Sequence, residues 1–196
     1  MSMIQSAPPR HPDGRKQRSE RSRQAIVDAM LDIIMAGKME PSAAEIAEKA
    51  GVSPRTVFRH FEEMDSLYSE MTERMEAEIM PIIQQPFTGE GWRAQLEQLL
   101  ERRALIYERV MPLKIAASIR RFGSDYLMLN YERFVHLERT GLEGVLPDTV
   151  RKDATLFSAI EMCAGFQTWR RLRQDQGLST DQAAAVVRLT ISRLVD

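Results

Sequence analysis

Residues 42–61 read SAAEIAEKAGVSPRTVFRHF, and this stretch decides the fold. It predicts two short helices joined by a tight turn. Ser42 is a good N-cap, and Glu45 three residues on completes a capping box. Ile46, Ala47 and Ala50 lie on one helical face. Gly51 falls where a helix end needs a left-handed residue, a conformation that glycine reaches without steric cost. Val52 plugs the turn. Ser53 then caps a second helix, with Pro54 at its first position. Val57 and Phe61, spaced i, i+4, form the buried face of that helix. Arg55, Thr56, Phe58, Arg59 and His60 are left to point outward.

Such a pair has a use. A helix fits the major groove of B-DNA, and side chains near its N-terminus reach base edges. The alanine-rich junction allows the close crossing that a helix-turn-helix requires. The run resembles the DNA-binding domain of the TetR family of transcriptional regulators. The matching pieces are SAAEIAEKAGVS, TVFRHF and MDSLYSEM, preceded by the helix QAIVDAMLDIIMAGK, over roughly Arg18 to Met75. Three positions depart from the family pattern. Phe58 stands where tyrosine is usual, Met64 where a lysine often opens the connecting helix, and Ala44 where a polar or basic residue is frequent. Each removes a phosphate contact and bears on general affinity more than on sequence choice.

Charge is divided along the chain. Residues 1–61 hold ten Lys and Arg against seven Asp and Glu, while the remainder is acidic and the whole chain has a formal net charge of −1. A positive module on an acidic body fits a phosphate-facing role. Residues 1–17 are expected to be a flexible basic arm, with Pro8, Pro9, Pro12 and Gly14 leading into RKQRSERSR. The helix-turn-helix domain is expected over 18–63, its first helix running from about Ser19 to Ala36 on Ile26, Ala29, Met30, Ile33 and Ile34. The resemblance implies a DNA-binding set of Arg18, Arg21, Ser42, Ser53, Pro54, Arg55, Thr56, Phe58, Arg59 and His60. Arg55 is the candidate for base readout, because arginine can bind guanine through two hydrogen bonds. Thr56 and His60 suit phosphates.

Residues 64–196 are expected to be a helical ligand-binding and dimerisation domain. A long helix follows Phe61 on Leu67, Met71, Met75, Ile79 and Ile82, with Pro81 near its end. Five more helices are predicted: Gly91 to Val110, broken by Pro112; Leu113 to Phe122; Ser124 to about Gly141; Asp148 to Gln174; and a last one capped by Ser179 with Gln182. No strand signal appears, so the fold class is all-α.

The middle helices offer walls for a hydrophobic ligand. Tyr107, Met111, Phe122, Tyr126, Met128 and Tyr131 are candidates, with Phe134, Met162, Phe166 and Trp169. Apolar, aromatic and methionine-rich linings adapt to such molecules. Arg102, Arg103, Arg120 and Arg121 could meet an anionic group, although such charges are usually solvated. The resemblance implies a homodimer through the last two helices. Their small residues, among them Ala159, Cys163 and Ala183 to Ala185, permit close approach.

Enzyme chemistry finds no constellation. Glu132 and His136 are i, i+4 neighbours without a third ligand, and no phosphate loop, nucleophile elbow or dinucleotide fingerprint occurs. No cofactor or metal is expected. Cys163 is the only cysteine, which rules out an internal disulfide and suits a reducing cytoplasm. The N-terminus has no apolar run of signal-peptide type, and no stretch approaches the ~20 apolar residues that span a bilayer. The expected function is a ligand-responsive repressor on a pseudo-palindromic DNA operator. The alternative is a helical protein-protein adaptor.

Overall fold

The computed structural model describes residues 13–61 and 64–196, and these are helical without strands. Of the expected flexible arm 1–17, residues 1–12 lie outside the described residues, and 13–17 are not a flexible loop but the helical opening of the first helix. The chain divides into two compact units, Met1–Met71 and Thr72–Asp196. The division falls inside a helix, eight residues beyond the expected boundary at 63.

In the first unit, α1 spans Asp13–Met35, α2 Ala43–Ala50 and α3 Pro54–His60, and α4 opens at Met64. Helix α1 starts six residues before the expected Ser19. The run RKQRSE is made of good helix formers, and nothing after Gly14 stops it. Ile26, Val27, Met30 and Ile34 from α1 are buried together with Ile46, Ala47, Val57 and Phe61. Leu67, Tyr68 and Met71 of α4 complete this core.

In the second unit, α4 continues to Ile83. It is followed by α5 (Gly91–Arg120), a 3₁₀ turn (Arg121–Gly123) and α6 (Asp125–Val145). Then come α7 (Asp148–Arg151), α8 (Ala154–Ala164), α9 (Phe166–Arg170), a π turn (Arg171–Asp175) and α10 (Thr180–Val195). Helix α5 runs thirty residues straight through Pro112, where a break was expected. An internal proline costs roughly 3 kcal/mol. Here Tyr107, Val110 and Met111 before it, and Leu113 and Ala116 after it, are all buried, and that burial holds the helix together. Helix α6 likewise continues past Gly141 and Gly144 to Val145, because Leu142, Val145 and Leu146 are anchored in the core.

The opposite happens further on. The helix expected over Asp148 to Gln174 is cut into α7, α8, α9 and the π turn. Asp153 caps α8 by accepting from the backbone of Thr155 and Leu156. The interruption at Gly165 frees two backbone groups, and the body answers both. The Ala164 carbonyl accepts from Arg103 Nη1 at 3.2 Å and from the Tyr107 hydroxyl at 3.0 Å. The Phe166 N–H donates to Glu138 Oε1 at 2.8 Å. Glu108 of α5 then holds the π turn, accepting from Trp169 Nε1 at 2.8 Å and Arg173 Nε at 2.7 Å. Ser179 and Gln182 form the expected capping box on α10.

Candidate nucleic-acid interface and ligand cavity

Both predicted caps of the helix-turn-helix are present. Ser42 Oγ accepts from the Glu45 N–H at 3.3 Å, and Glu45 reaches back to the Ser42 N–H at 2.9 Å. Lys38 pairs with the same carboxylate. That pairing, followed by the Ser42 bonds, pulls Glu45 down to about 2. Gly51 is left-handed at φ 66°, and its N–H closes the end of α2 onto Glu48. Ser53 Oγ accepts from the Thr56 N–H at 3.2 Å and lies 2.9 Å from Thr56 Oγ1.

Helix α3 therefore presents a defined outer face. Arg55, Phe58 and Arg59 are exposed, and Phe58 is 60% accessible, unusual for an aromatic without a partner surface. Arg18 and Arg21 are exposed on α1, as are Ser42, Ser53 and Pro54 at the two helix starts. Thr56 and His60 are half-buried. The His60 Nε2 atom is buried without a hydrogen-bond partner. Burial lowers its pKa, with Arg59 and Arg23 adding to the effect. Arg23, counted with the basic run by its sequence, instead serves the domain. It forms an ion pair with Glu70, stands 4.9 Å over the Phe61 ring and donates to the His60 carbonyl at 3.5 Å.

The second unit holds a cavity of about 360 Å³. Its walls are Met75, Ile79 and Ile83 of α4, Leu99, Ile106 and Val110 of α5, and Phe134 and Leu137 of α6. Of the expected wall residues, Tyr107 and Phe134 line it. Tyr131, Phe134 and Phe166 line a smaller neighbouring cleft of about 40 Å³, and Trp169 lines a third recess. Met111 is core, and Tyr126 is half-buried. Phe122 and Met162 are 78% and 67% exposed, and they face away from these walls. Phe122 sits on the 3₁₀ turn, and Met162 on the outer side of α8.

Sequence reasoning missed two polar wall residues. Glu138 accepts from the Tyr107 hydroxyl, and burial raises its pKa against the opposing pull of that bond and of Arg103. Lys114 stands 3.7 Å over the Phe134 ring, with Asn130 Oδ1 at 3.5 Å. Burial pulls it down to about 8. Both lie on apolar stripes, Lys114 seven residues after Tyr107 and Glu138 four after Phe134, and that spacing was the available signal. The other cavity cations are engaged. Arg133 pairs with Glu76, Arg102 donates to the Pro86 carbonyl at 2.7 Å, and Arg103 donates to the carbonyls of Ala164 and Glu138.

Among the described residues no group of three His, Cys, Asp or Glu is placed to hold a metal ion, and no helix is long and apolar enough to cross a membrane. A family model described as bacterial regulatory proteins of the tetR family matches residues 40–71. A Haemophilus influenzae protein described as an uncharacterized HTH-type transcriptional regulator is 38% identical over 61 residues. That match covers 30% of this chain, and the chain spans about 30% of the length of this curated relative. The crystal structure of a transcriptional regulator from Rhodococcus sp. Rha1 is similar over 90% of this chain and 95% of its own, with a TM-score of 0.62 and 20% identity, a likeness of fold. The residues matched by the family model build α2, α3 and the opening of α4, so it is the helix-turn-helix region of this chain that is similar to the bacterial regulatory proteins of the tetR family.

Proposed function

We propose that the protein is a ligand-responsive repressor that binds a pseudo-palindromic DNA operator as a homodimer, in the cytoplasm where that DNA lies. The observation that carries the reading is the outer face of α3. Arg55 and Arg59 stand free of any ion pair among the described residues, on a helix whose start and turn are fixed by serine caps and a left-handed glycine. Arg55, one residue inside the helix, is positioned for a guanine edge, while Arg18, Arg21 and Arg59 supply phosphate contacts.

One short helix reads few bases, which favours two copies with half-sites separated by multiples of about 10 base pairs. The outer sides of α8 and α10 support pairing: Met162, Val186 and Leu189 are exposed there beside Ala185. Ligand in the cavity and DNA on α3 would select different body shapes, and α4, which begins in one unit and ends in the other, is the natural lever.

Selection of bound sequences from random DNA tests the reading. The protein should recover an inverted repeat, and Arg55→Ala should lose preference at one position per half-site, at a cost of about 1–3 kcal/mol per bidentate contact. An unchanged motif would remove Arg55 from base readout. Recovery of no sequence at all would favour the adaptor reading.

A further inference from the structure

Three cations face the small cleft beside the cavity: Lys114, Arg121 and Arg170. None of them forms an ion pair among the described residues. The Nε atoms of Arg121 and Arg170 are buried and without hydrogen-bond partners. Arg121 stacks 4.0 Å over the Tyr131 ring, which fixes its plane but leaves that donor unanswered. The hydrogen-bond acceptor of Lys114 is the Asn130 amide oxygen, at the limit of hydrogen-bond length, and the Glu138 and Glu76 carboxylates act on its charge from beyond ion-pair distance. The single acid on the cleft, Glu138, has its Oε1 occupied by the Tyr107 hydroxyl and the Phe166 N–H.

Three cations against one acid, enclosed by low-dielectric walls, leave an excess of positive charge that concentrates potential on whatever enters the cleft. Buried donors without acceptors are rare in native structures and call for a partner. The cleft shares Lys114, Ala117, Asn130, Phe134 and Glu138 with the apolar cavity. Lys114 thus stands in the wall between a greasy space of about 360 Å³ and a cationic one of about 40 Å³. The smaller volume suits a compact acid group.

We propose that the body recognises an amphipathic anion, with its acid group held at Lys114, Arg121 and Arg170 and its apolar part in the larger cavity. The assignment rests on the reading that the body binds a ligand, and it narrows that ligand to a class. Neutral and cationic hydrophobes of the same size are disfavoured. A carboxylate gains the two arginine donors and a lysine whose ammonium makes no ion pair among the described residues. An amine would set a fourth cation among three.

Titration calorimetry with decanoate, decanol and decylamine separates the possibilities. Decanoate should bind the full-length protein at least tenfold more tightly than decanol, and decylamine should not bind. Lys114→Met should bring decanoate down to the level of decanol, while Lys114→Arg should keep the preference. Arg170→Gln, which leaves the apolar core untouched, should weaken decanoate alone and serves should Lys114→Met fail to fold. Equal binding of decanoate and decanol by the unaltered protein would overturn the anion assignment and leave the apolar ligand site standing. Binding of none of the three would remove both. A preference that survives both Lys114→Met and Arg170→Gln would overturn the head-group site.

Discussion

Lys114 lowers the stability of the body in the absence of ligand, and the size of that effect can be worked out. Its ammonium sits in an apolar wall, and burial lowers its pKa from 10.5 to about 8. Each unit corresponds to about 1.4 kcal/mol, so charging this group in the folded protein costs at most about 3.5 kcal/mol relative to the unfolded chain. Two effects reduce the figure. The side chain keeps some contact with solvent, and the Phe134 ring at 3.7 Å returns about 0.5–2 kcal/mol as a cation–π contact. Lys114→Met, which keeps the length and removes the charge, should therefore stabilise the body by about 1–2 kcal/mol at neutral pH. The folded pKa lies below the unfolded one, so the penalty is complete below pH 8 and fades as pH rises from about 8 to about 10.5. Both tryptophans, Trp92 and Trp169, belong to the second unit, so their fluorescence follows its unfolding in urea. The variant should outlast the unaltered protein at neutral pH, and the gap should shrink at about pH 10. A variant that is equally stable or weaker at neutral pH, or a gap indifferent to pH, would refute the reasoning.

Three further outcomes are expected. Ser42→Ala should destabilise the first unit by about 1 kcal/mol, read by thermal unfolding. Because the Glu45 carboxyl is held at about 2 against an ordinary 4.5, the box that it forms should persist above pH 4.5 and be lost as pH falls towards 2. His60 has a folded pKa below its ordinary 6.5, so acidification through and below that value should weaken the first unit, and His60→Gln should flatten the slope; a slope of equal size in the variant would exonerate His60. Leu189→Glu places a charge on the exposed side of α10 and should convert a dimer to monomers in sedimentation, whereas an intact dimer would move the interface elsewhere.

The helix-turn-helix was legible because its information is local. Ser42, Glu45, Gly51, Ser53 and Pro54 act within a few residues of themselves, and each stands where the spacing put it. The start of α10 was legible for the same reason. The body was legible only as helices. Pro112 read as a break because its cost is local, while the burial of Leu113 and Ala116 that overrides it depends on distant chain. Gly165 read as mid-helix because the partners of the break lie 28 to 61 residues away. The cavity was the least legible part. Met75, Ile79 and Ile83 of its apolar wall come from α4, which the sequence presents only as a connector, and its cations hide on stripes that composition counts as solvated.

The break at Gly165 also limits how the protein can be dissected. The groups that close it come from residues 103, 107 and 138, so a peptide spanning 148–176 would carry the gap without its fasteners. Excised, that segment should anneal into one rod or fray entirely. Its bend belongs to the intact body and cannot be transplanted with the segment alone.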